Sequence, residues 1–262
     1  MTAPLALVTG GVKRVGAVIA ARLADNGYAL ALHGNSDVMP EQALADKLQE
    51  TDPEWSGFQQ DFTADGAAET LMDQVVDHFG RTPELIVNSA SVFGQDDADS
   101  IGEKDLQEHY RVNSMVPILL TTALHQRRSE RRASGDSRAC VIHILDQRIR
   151  NPNRDQLSYT LAKQALAASV RSLATACADT LRVNGVAPGL TLTAGEYGDD
   201  QLANITAMMP LDRLPEPDGI ADAVLYLARA EAVTGQTIYV DGGANLKSFD
   251  RDFVHLGKEQ SS

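Results

Sequence analysis

The chain has 262 residues, of which 43% are hydrophobic and 23% charged, and its formal net charge is −13. This length and composition fit one globular α/β domain with a large core and argue against a disordered chain. An acidic surface repels phosphate backbones and anionic membranes, so we expect neither a nucleic acid nor a membrane partner.

The N-terminal residues and the cysteines indicate where the protein is found. A strand pattern begins at Leu5, which leaves no room for a charged leader and a hydrophobic signal core. Cys140 and Cys177 are the two cysteines, and we expect buried reduced thiols rather than a disulfide. No segment approaches the roughly 20 apolar residues that span a bilayer. The sequence therefore predicts a cytoplasmic protein.

Short apolar segments alternate along the chain with segments of helical periodicity. Strands are predicted at 5–8, 29–33, 57–60, 85–87, 141–145, 183–186 and 237–240, and helices at about 15–26, 40–50, 65–79, 103–128, 156–178 and 217–229. Apolar strands separated by helices are typical of a parallel sheet covered on both faces. Right-handed crossovers then give a single doubly wound Rossmann domain over residues 1–262, with a seven-stranded parallel sheet and a ligand site beyond its carboxyl edge.

Three segments depart from this alternation. The polar residues 126–138 predict an exposed loop. Residues 190–215 contain scattered Gly, Pro and Met without a strand pattern, which predicts a long irregular substrate loop, either a lid over a ligand or a surface excursion. Residues 246–262 form a C-terminal tail beyond the last predicted strand.

A glycine-rich turn follows the first predicted strand. Its sequence is Thr9-Gly10-Gly11-Val12-Lys13-Arg14-Val15-Gly16, and a predicted helix comes next. Gly10 permits a tight turn, Gly16 permits close packing of helix on sheet, and the N–H groups at the helix start can face a pyrophosphate. A strand, a turn and a helix are the context that a dinucleotide-binding motif requires, although an ordinary connection has the same order.

This turn resembles the Thr-Gly-x-x-x-Gly-x-Gly pattern of the short-chain dehydrogenase/reductase family. Arg14 stands where the family has its middle glycine. Further matches extend the resemblance over about residues 5–245, and they are Asp61, Asn88-Ser89-Ala90-Ser91, Asn113, Tyr159, Lys163, Pro188-Gly189, Thr193 and Asp241-Gly242-Gly243. The contacts expected with the cofactor are Gly10, Lys13, Arg14, Val15, Gly16, His33, Asn35, Ser36, Asp61, Phe62, Asn88, Ser89, Ala90, Tyr159, Lys163, Pro188, Gly189 and Thr193.

The residues after the second predicted strand bear on the choice of cofactor. That strand ends at His33-Gly34-Asn35-Ser36, and no carboxylate appears before Asp37. An acidic residue about 20 positions after the glycines would bind the ribose 2′-hydroxyl of NAD. Lys13 lies where NADP-preferring members of the family have a basic residue, and with Ser36, and His33 or Asn35, it could hold a 2′-phosphate. We therefore predict NADPH, with a ribose contact from Asp37 as the alternative.

Tyr159 and Lys163 lie four positions apart at the start of a predicted helix, so they share one helix face. A nearby cation favours the phenolate, and we expect it to lower the pKa of the tyrosine from about 10 towards the working pH. The resemblance identifies them as the family's catalytic pair. Asn113 matches the family's structural and proton-relay asparagine.

Asp146 stands thirteen positions before Tyr159, where the family usually has serine. Serine donates a hydrogen bond to a carbonyl oxygen, whereas an ionised aspartate cannot donate one. An aspartate suits a substrate that has N–H groups or is protonated on nitrogen. Pteridine reductases resemble the chain in having an aspartate here, Lys-Arg in the turn, and a phenylalanine that stacks on the pterin at the position of Phe93.

We therefore predict NADPH-dependent reduction of a dihydropterin, such as a dihydrofolate or dihydromonapterin, by hydride transfer to a C=N carbon. The expected catalytic residues are Asp146, Tyr159, Lys163 and Asn113, and the expected substrate contacts are Arg14, Ser91, Phe93, Asp146 and Tyr159. A reductase of a 3-oxoacyl group or small ketone and a non-catalytic NADP(H)-binding sensor are the alternatives.

Two further expectations concern the loop before Tyr159 and the assembly. Residues 148–154 contain three arginines, which either hold an anionic substrate tail or belong to a solvated loop. The family resemblance implies a homotetramer formed through the long helices.

Overall fold

The computed structural model describes residues 2–131, 137–191 and 197–258. Within these residues the strands are β1 (Leu5–Thr9), β2 (Ala29–Gly34), β3 (Trp55–Gln59), β4 (Leu85–Asn88), β5 (Ala139–Ile144), β6 (Leu181–Pro188) and β7 (Thr237–Val240). The α-helices are α1 (Arg14–Ala24), α2 (Gln42–Thr51), α3 (Ala67–Phe79), α4 (Glu103–Tyr110), α5 (Val116–Arg131), α6 (Leu157–Ala176), α7 (Asp199–Met208) and α8 (Pro217–Arg229).

The strands form one sheet in the order β3-β2-β1-β4-β5-β6-β7, and every described pairing is parallel. The predicted doubly wound α/β fold is therefore confirmed. The order reverses between β1 and β4, whose carboxyl ends lead into the glycine turn and into Ser89. Ligands of open parallel sheets bind in the crevice at such a reversal, so this edge is where the site is expected.

Alternation along the strands places apolar side chains on both faces of the sheet. In β1, Leu5 and Leu7 pack with α3, α5 and α6, whereas Ala6 and Val8 pack with α1, α2 and α8. All four side chains are fully buried. Burial on both faces explains why the strands are apolar throughout and why the sequence pattern reveals them.

The predicted helix over 103–128 is one helical run with a change of pitch in its middle. A π-helical turn, Arg111–Met115, joins α4 to α5 and contains Asn113. Such turns in longer helices are frequent at functional sites. The run also extends through Arg131, so residues 126–131 of the predicted exposed loop are helical instead.

The predicted irregular segment 190–215 contains α7, which corrects the sequence prediction. Ile205 of α7 and Met209 just after it are buried against Phe253 of the C-terminal segment. Gln201 of α7 donates hydrogen bonds to the backbone oxygens of Val254 and Leu256 at 3.1 and 2.8 Å. Because α7 is stabilised by this distant segment, the local periodicity of its sequence does not reveal the helix. No helix among the described residues is long and apolar enough to cross a membrane.

Candidate active site

The glycine turn between β1 and α1 closes tightly on itself. Gly10 has φ +61°, and a Cβ added at Gly16 would lie 2.1 Å from the Gly10 carbonyl oxygen. A side chain at Gly16 would therefore fill the cradle that the turn forms. Arg14 has φ +56°, the left-handed conformation that glycine adopts readily, and its N–H donates to Glu41 Oε2 at 2.9 Å. The arginine thus keeps the backbone shape of the glycine it replaces.

His33 lies beneath this turn. Its Nδ1 accepts a hydrogen bond from the Gly10 N–H at 3.1 Å, and its Nε2 lies 2.8 Å from the Gln60 carbonyl oxygen. Its ring stacks on Phe62 with the centroids 4.1 Å apart. Burial lowers the pKa of His33 to about 4, which keeps the ring neutral. Because both ring nitrogens have protein partners, His33 is placed to support the turn rather than to contact a 2′-phosphate.

The segment after β4 is held to the turn and to the π-helix by short polar contacts. Thr9 Oγ1 accepts hydrogen bonds from the N–H groups of Ser89 and Ala90 at 3.0 and 3.1 Å. Asn113 clamps Val92, since its Oδ1 accepts from the Val92 N–H and its Nδ2 donates to the Val92 oxygen, both at 2.8 Å. Asn113 is fully buried and therefore shapes the backbone of this wall.

Ser91, Asn88 and Asp61 also have partners within the protein. Ser91 Oγ donates to Asn113 Oδ1 at 3.1 Å. Asn88 is buried beside His143, with Nδ2 and Nδ1 of the two residues 3.1 Å apart. Asp61 is exposed, and hydrogen bonds from the backbone and side chain of Thr63 lower its pKa.

The Tyr159 hydroxyl donates a hydrogen bond to Asp146 Oδ2 at 3.0 Å. The Lys163 ammonium group donates to the Ile144 carbonyl oxygen at 2.8 Å and lies 5.7 Å from the centre of the Tyr159 ring. The structure therefore brings the three predicted groups together. Phe93 is adjacent, with its ring centre 4.9 Å from that of Tyr159.

The electrostatics of Tyr159 differ from the sequence prediction. Burial, together with the negative charge of Asp146, raises the pKa of Tyr159 well above its ordinary value of 10, although Arg148 opposes the change. Burial also lowers the pKa of Lys163 to about 8, against the influence of Asp146. The expected fall in the tyrosine pKa is therefore wrong for this structure, because burial and Asp146 together outweigh the effect of Arg148. The phenol stays protonated near neutral pH and can donate a proton.

Arg148 was predicted only as one of three loop arginines. It is 5% exposed, and its guanidinium group contacts Asp146, Gln156 and Asp252. Asp252 belongs to the predicted C-terminal tail, so residues 252–254 of that tail form part of the site. Arg150 and Arg154 are exposed and do not line the site. Of the three arginines in residues 148–154, the first is therefore buried in the site and the other two lie on the surface.

One cavity of about 490 Å³ unites these groups at the carboxyl edge of the sheet. Its lining includes the predicted residues Gly10, Lys13, Arg14, Val15, Gly16, Ser89, Ala90, Ser91, Phe93, Asp146, Tyr159, Lys163, Pro188 and Gly189. It also includes residues that the sequence analysis did not single out, among them Gln95, Gln147, Tyr197, Asp252, Phe253 and Val254. The predicted contacts that do not line it are His33, Asn35, Ser36, Asp61, Phe62, Asn88 and Asn113. Thr193 lies outside the described residues.

Residues 11–245 match the family model described as enoyl-(acyl carrier protein) reductase. With the seven-stranded fold and the Tyr159–Lys163 site, this match shows that the chain belongs to the short-chain dehydrogenase/reductase family of oxidoreductases.

Within that family, solved structures similar to the chain include an alternative dihydrofolate reductase 1, FolM, of Brucella canis complexed with NADP. It is 30% identical with a TM-score of 0.81, and the alignment covers 95% of this chain and 96% of that one. The Brucella suis protein, also with NADP, is 30% identical with a TM-score of 0.81 and coverages of 96% and 98%.

Two curated relatives are equally similar in sequence. Pteridine reductase 1 of Leishmania tarentolae is 29% identical over 282 residues, which cover 94% of this chain and 97% of that protein. A protein of Streptomyces violaceoruber named as a ketoacyl reductase of the granaticin polyketide synthase is 29% identical over 249 residues, with coverages of 93% and 97%. The predicted resemblance to pteridine reductases is thus confirmed, and a resemblance to a ketoacyl reductase stands beside it.

Proposed function

We propose that the protein is an NADPH-dependent reductase of a dihydropterin. The observation that carries this proposal is the hydrogen bond from the Tyr159 hydroxyl to Asp146 Oδ2, 3.0 Å long, in a cavity that the glycine turn and Phe93 share. A carboxylate at this place accepts hydrogen bonds and repels a developing oxyanion. It therefore favours a substrate that presents N–H groups over one that presents a carbonyl oxygen.

The cradle formed by Gly10 and Gly16 suits the pyrophosphate of a dinucleotide, because no side chain fills it and α1 begins directly behind it. Lys13 is exposed at the cavity and supplies positive charge for a 2′-phosphate, and Asn35 and Ser36, which are exposed directly after β2, are proposed as further contacts. NADP in the Brucella structures supports this choice. When bound, NADPH supplies the hydride.

Lys13→Ala tests the choice of cofactor. We expect the variant to raise KM for NADPH at least tenfold and to leave KM for NADH within about twofold, since one charge-assisted contact is worth about 1.5–3 kcal/mol. A wild-type protein that prefers NADH contradicts the proposal.

Tyr159 is the proton donor of the proposed reaction. Its raised pKa keeps the proton on Oη at neutral pH, and the proton passes to the ring nitrogen of the C=N group whose carbon is reduced. Asp146 accepts the tyrosine hydrogen bond, and because Arg148 occupies Oδ1, the remaining lone pair on Oδ2 is offered to one N–H group of the pterin. Lys163 holds the backbone at Ile144, where β5 ends beside Asp146.

The pterin ring is proposed to stack on Phe93, whose side chain is 55% exposed beside Tyr159. Ser91 lies at the edge of the ring in this arrangement, and Arg14 bridges cofactor phosphate and substrate. Stacking of flat rings and a few polar edge contacts are what a heteroaromatic ligand requires.

The proposal is tested by following NADPH oxidation with a panel of dihydropterins. Tyr159→Phe removes the proton donor and keeps the ring, so we expect kcat to fall by about 10²–10⁴. Tyr226→Phe, which alters an exposed tyrosine on α8, is the matched control and should keep full activity. Failure of the wild-type protein to reduce any dihydropterin would rule the proposal out.

The second candidate is a reductase of ketones or 3-oxoacyl groups, which the similarity to the granaticin ketoacyl reductase favours. A ketone panel measured beside the dihydropterins separates the two. Asp146→Ser introduces a hydroxyl donor at the position discussed above. If the protein reduces dihydropterins, this change lowers that activity, whereas a ketone reductase would gain activity from the added donor.

We also propose a homotetramer formed through the α4–α5 run and α6. Apolar side chains on these elements are partly exposed, and they are Leu106, Tyr110, Met115, Leu119 and Leu161. Light scattering after size-exclusion chromatography gives the mass directly, and a stable monomer would contradict this assembly.

A further inference from the structure

Arg148 is the most deeply buried cation that lines the cavity apart from Lys163, at 5% exposure. All three ends of its guanidinium group are hydrogen-bonded. Nε donates to Asp146 Oδ1 at 3.1 Å, Nη1 to Gln156 Oε1 at 2.7 Å and Nη2 to Asp252 Oδ2 at 2.8 Å. Although burial disfavours its charge, Asp146, Tyr159 and Asp252 raise the pKa of Arg148 above its usual value. It is therefore a permanent cation whose charge is already paired with two carboxylates.

The two oxygens of the Asp146 carboxylate have different partners. Oδ1 accepts from the Arg148 backbone N–H at 2.8 Å and from its Nε at 3.1 Å. Oδ2 accepts from the Tyr159 hydroxyl at 3.0 Å. Because the backbone N–H and the guanidinium group of Arg148 both hold one oxygen, rotation of the carboxylate about its own bond is restricted, and the other oxygen stays aimed at the phenol.

Arg148 is itself fixed from the far end of the chain. Asp252, whose side chain is 8% exposed, anchors Nη2, and the neighbouring residues 253 and 254 line the same cavity. A second ion pair reinforces this contact, since Arg251 Nε lies 2.9 Å from both carboxylate oxygens of Asp155. The Asp252 N–H donates to Asp155 as well, at 2.6 Å. The loop before α6 and the C-terminal segment are thereby joined at two points.

The Arg148 group also lies against the aromatic side chains of the site. Its central carbon is 5.3 Å from the centre of the Tyr159 ring and 5.8 Å from that of Phe93. Distances below about 6 Å permit a cation–π attraction. One side chain thus contacts the carboxylate, the phenol ring and the proposed stacking ring.

We propose that Arg148 is a positioning residue for the reaction, which holds Asp146 in register with Tyr159 and is itself held by Asp252 of the C-terminal segment. The substrate used to test this inference rests on the proposed function, whereas the contacts of Arg148 do not depend on it. A fork of N–H donors is required, because a lysine ammonium group is a point charge and cannot span three partners in one plane.

Among the described residues, the charged and titratable groups against Asp146 are Arg148, Tyr159 and Lys163, and of these Arg148 is the one that also pairs with a second carboxylate, that of Asp252. Lys163 does not replace it, since its ammonium group is hydrogen-bonded to the Ile144 oxygen. The Arg148 backbone N–H is kept in every variant at this position. The test therefore separates the guanidinium group from the backbone contact.

The experiment compares Arg148→Met and Arg148→Lys with Arg150→Met, a control two positions away on an exposed arginine that does not line the cavity. Single-turnover oxidation of NADPH is followed by stopped flow with the substrate that the wild-type protein reduces. Displacement of a catalytic group by about 1 Å lowers the rate on the order of 100-fold. We expect the rate constant to fall tenfold to 100-fold in both Arg148 variants, with the amplitude and the Kd for NADPH unchanged, and to stay at the wild-type value in Arg150→Met.

Two outcomes would overturn the proposal. A purely structural role of Arg148 lowers the amplitude, because less protein is folded, and leaves the rate constant unchanged. Retention of the 3.0 Å contact between Tyr159 and Asp146 in a crystal structure of Arg148→Met would also refute positioning. That structural readout needs no substrate, so it decides the role of Arg148 even if the wild-type protein reduces no dihydropterin and the proposed function fails.

Asp252→Asn covers the case in which Arg148→Met does not fold. This variant keeps Arg148 paired with Asp146 and weakens only the anchor at the C-terminal segment. We expect a smaller fall in the single-turnover rate constant, about threefold to tenfold. A rate constant equal to that of the wild-type protein would show that the C-terminal segment does not act on the site.

Discussion

Gly16 offers the sharpest test of the glycine turn, because the space for a side chain can be read from the structure. A Cβ at this position would lie 2.1 Å from the Gly10 oxygen, 2.8 Å from the Gly10 carbonyl carbon and 3.1 Å from the Gly11 Cα. All three are backbone atoms, so no side chain can rotate away. Gly16→Ala must therefore push α1 and the turn apart by about 1 Å.

The size of the effect follows from two opposing contributions. Overpacking costs about 1–3 kcal/mol, and the upper end applies where only backbone can yield. Alanine in place of glycine returns up to about 1 kcal/mol through helix propensity. We expect Gly16→Ala to lower the free energy of unfolding by about 2 kcal/mol and Tm by about 4–8 °C for a chain of this size.

Gly219 is the matched control, since it is the third residue of α8 as Gly16 is of α1. Among the described residues outside the backbone of α8, the atom that a Cβ at Gly219 would meet is Val240 Cγ1, at an ordinary 3.5 Å. Gly219→Ala should raise the free energy of unfolding by about 0.5–1 kcal/mol. The two variants thus move stability in opposite directions for a reason that lies only in the space around Cβ.

Thermal unfolding gives both stabilities, and fluorescence titration gives the affinity for NADPH. Displacement of the turn should raise the Kd of Gly16→Ala at least tenfold, which corresponds to about 1.4 kcal/mol. The Kd of Gly219→Ala should not change. A Gly16→Ala protein with the Tm and Kd of the wild type would refute the close approach on which this reasoning depends.

Two further predictions follow from buried groups. The pKa of His33 is about 4 in the folded protein against 6.5 for an ordinary histidine. The stability that the neutral ring contributes is therefore complete above pH 6.5 and is lost as the pH falls towards 4. The loss in the free energy of unfolding amounts to about 3 kcal/mol. Urea unfolding near pH 7 and near pH 4.5 measures this loss, and His33→Gln should show a smaller difference between the two; an equal difference would mean that the ring is not held neutral. Cys140 and Cys177 are free and buried, and burial raises the pKa of Cys140 to about 11 and raises that of Cys177. A thiol reagent should therefore label neither in the native protein and both after denaturation, whereas rapid native labelling would contradict their burial.

The fold was predictable because its signals are local. The burial of β1, β4 and β5 on both faces leaves apolar runs in the sequence, and the helices between them leave a period near 3.6. The predicted burial of the cysteines is confirmed as well, since Cys140 lies in β5 and Cys177 directly after α6, and both are buried. The helix α7 was not predicted, because its buried side chains pack on residues about 50 positions away, such as Phe253.

The sequence motifs predicted only part of the chemistry of the site. Spacing along one helix face puts Tyr159 and Lys163 on the same side, and the order of the chain brings Asp146 to the end of β5 before them. The direction of the tyrosine pKa was not predictable, because it depends on how much water the folded protein excludes and on which charge lies nearer. The predicted lowering of the Tyr159 pKa was wrong because burial is extensive and because Asp146 adds a negative charge beside the hydroxyl.

The sequence by itself determined the succession of strands and helices apart from α7, the glycine turn, and the identity of several groups at the carboxyl edge of the sheet, since each is specified by residues that are neighbours in the chain. Only the tertiary structure decided what surrounds those groups. His33 turns inward to support the turn, and Arg148 meets Asp252 across 104 positions of sequence. Contacts of that separation are fixed by the packing of the whole sheet, which leaves no periodic trace in the chain.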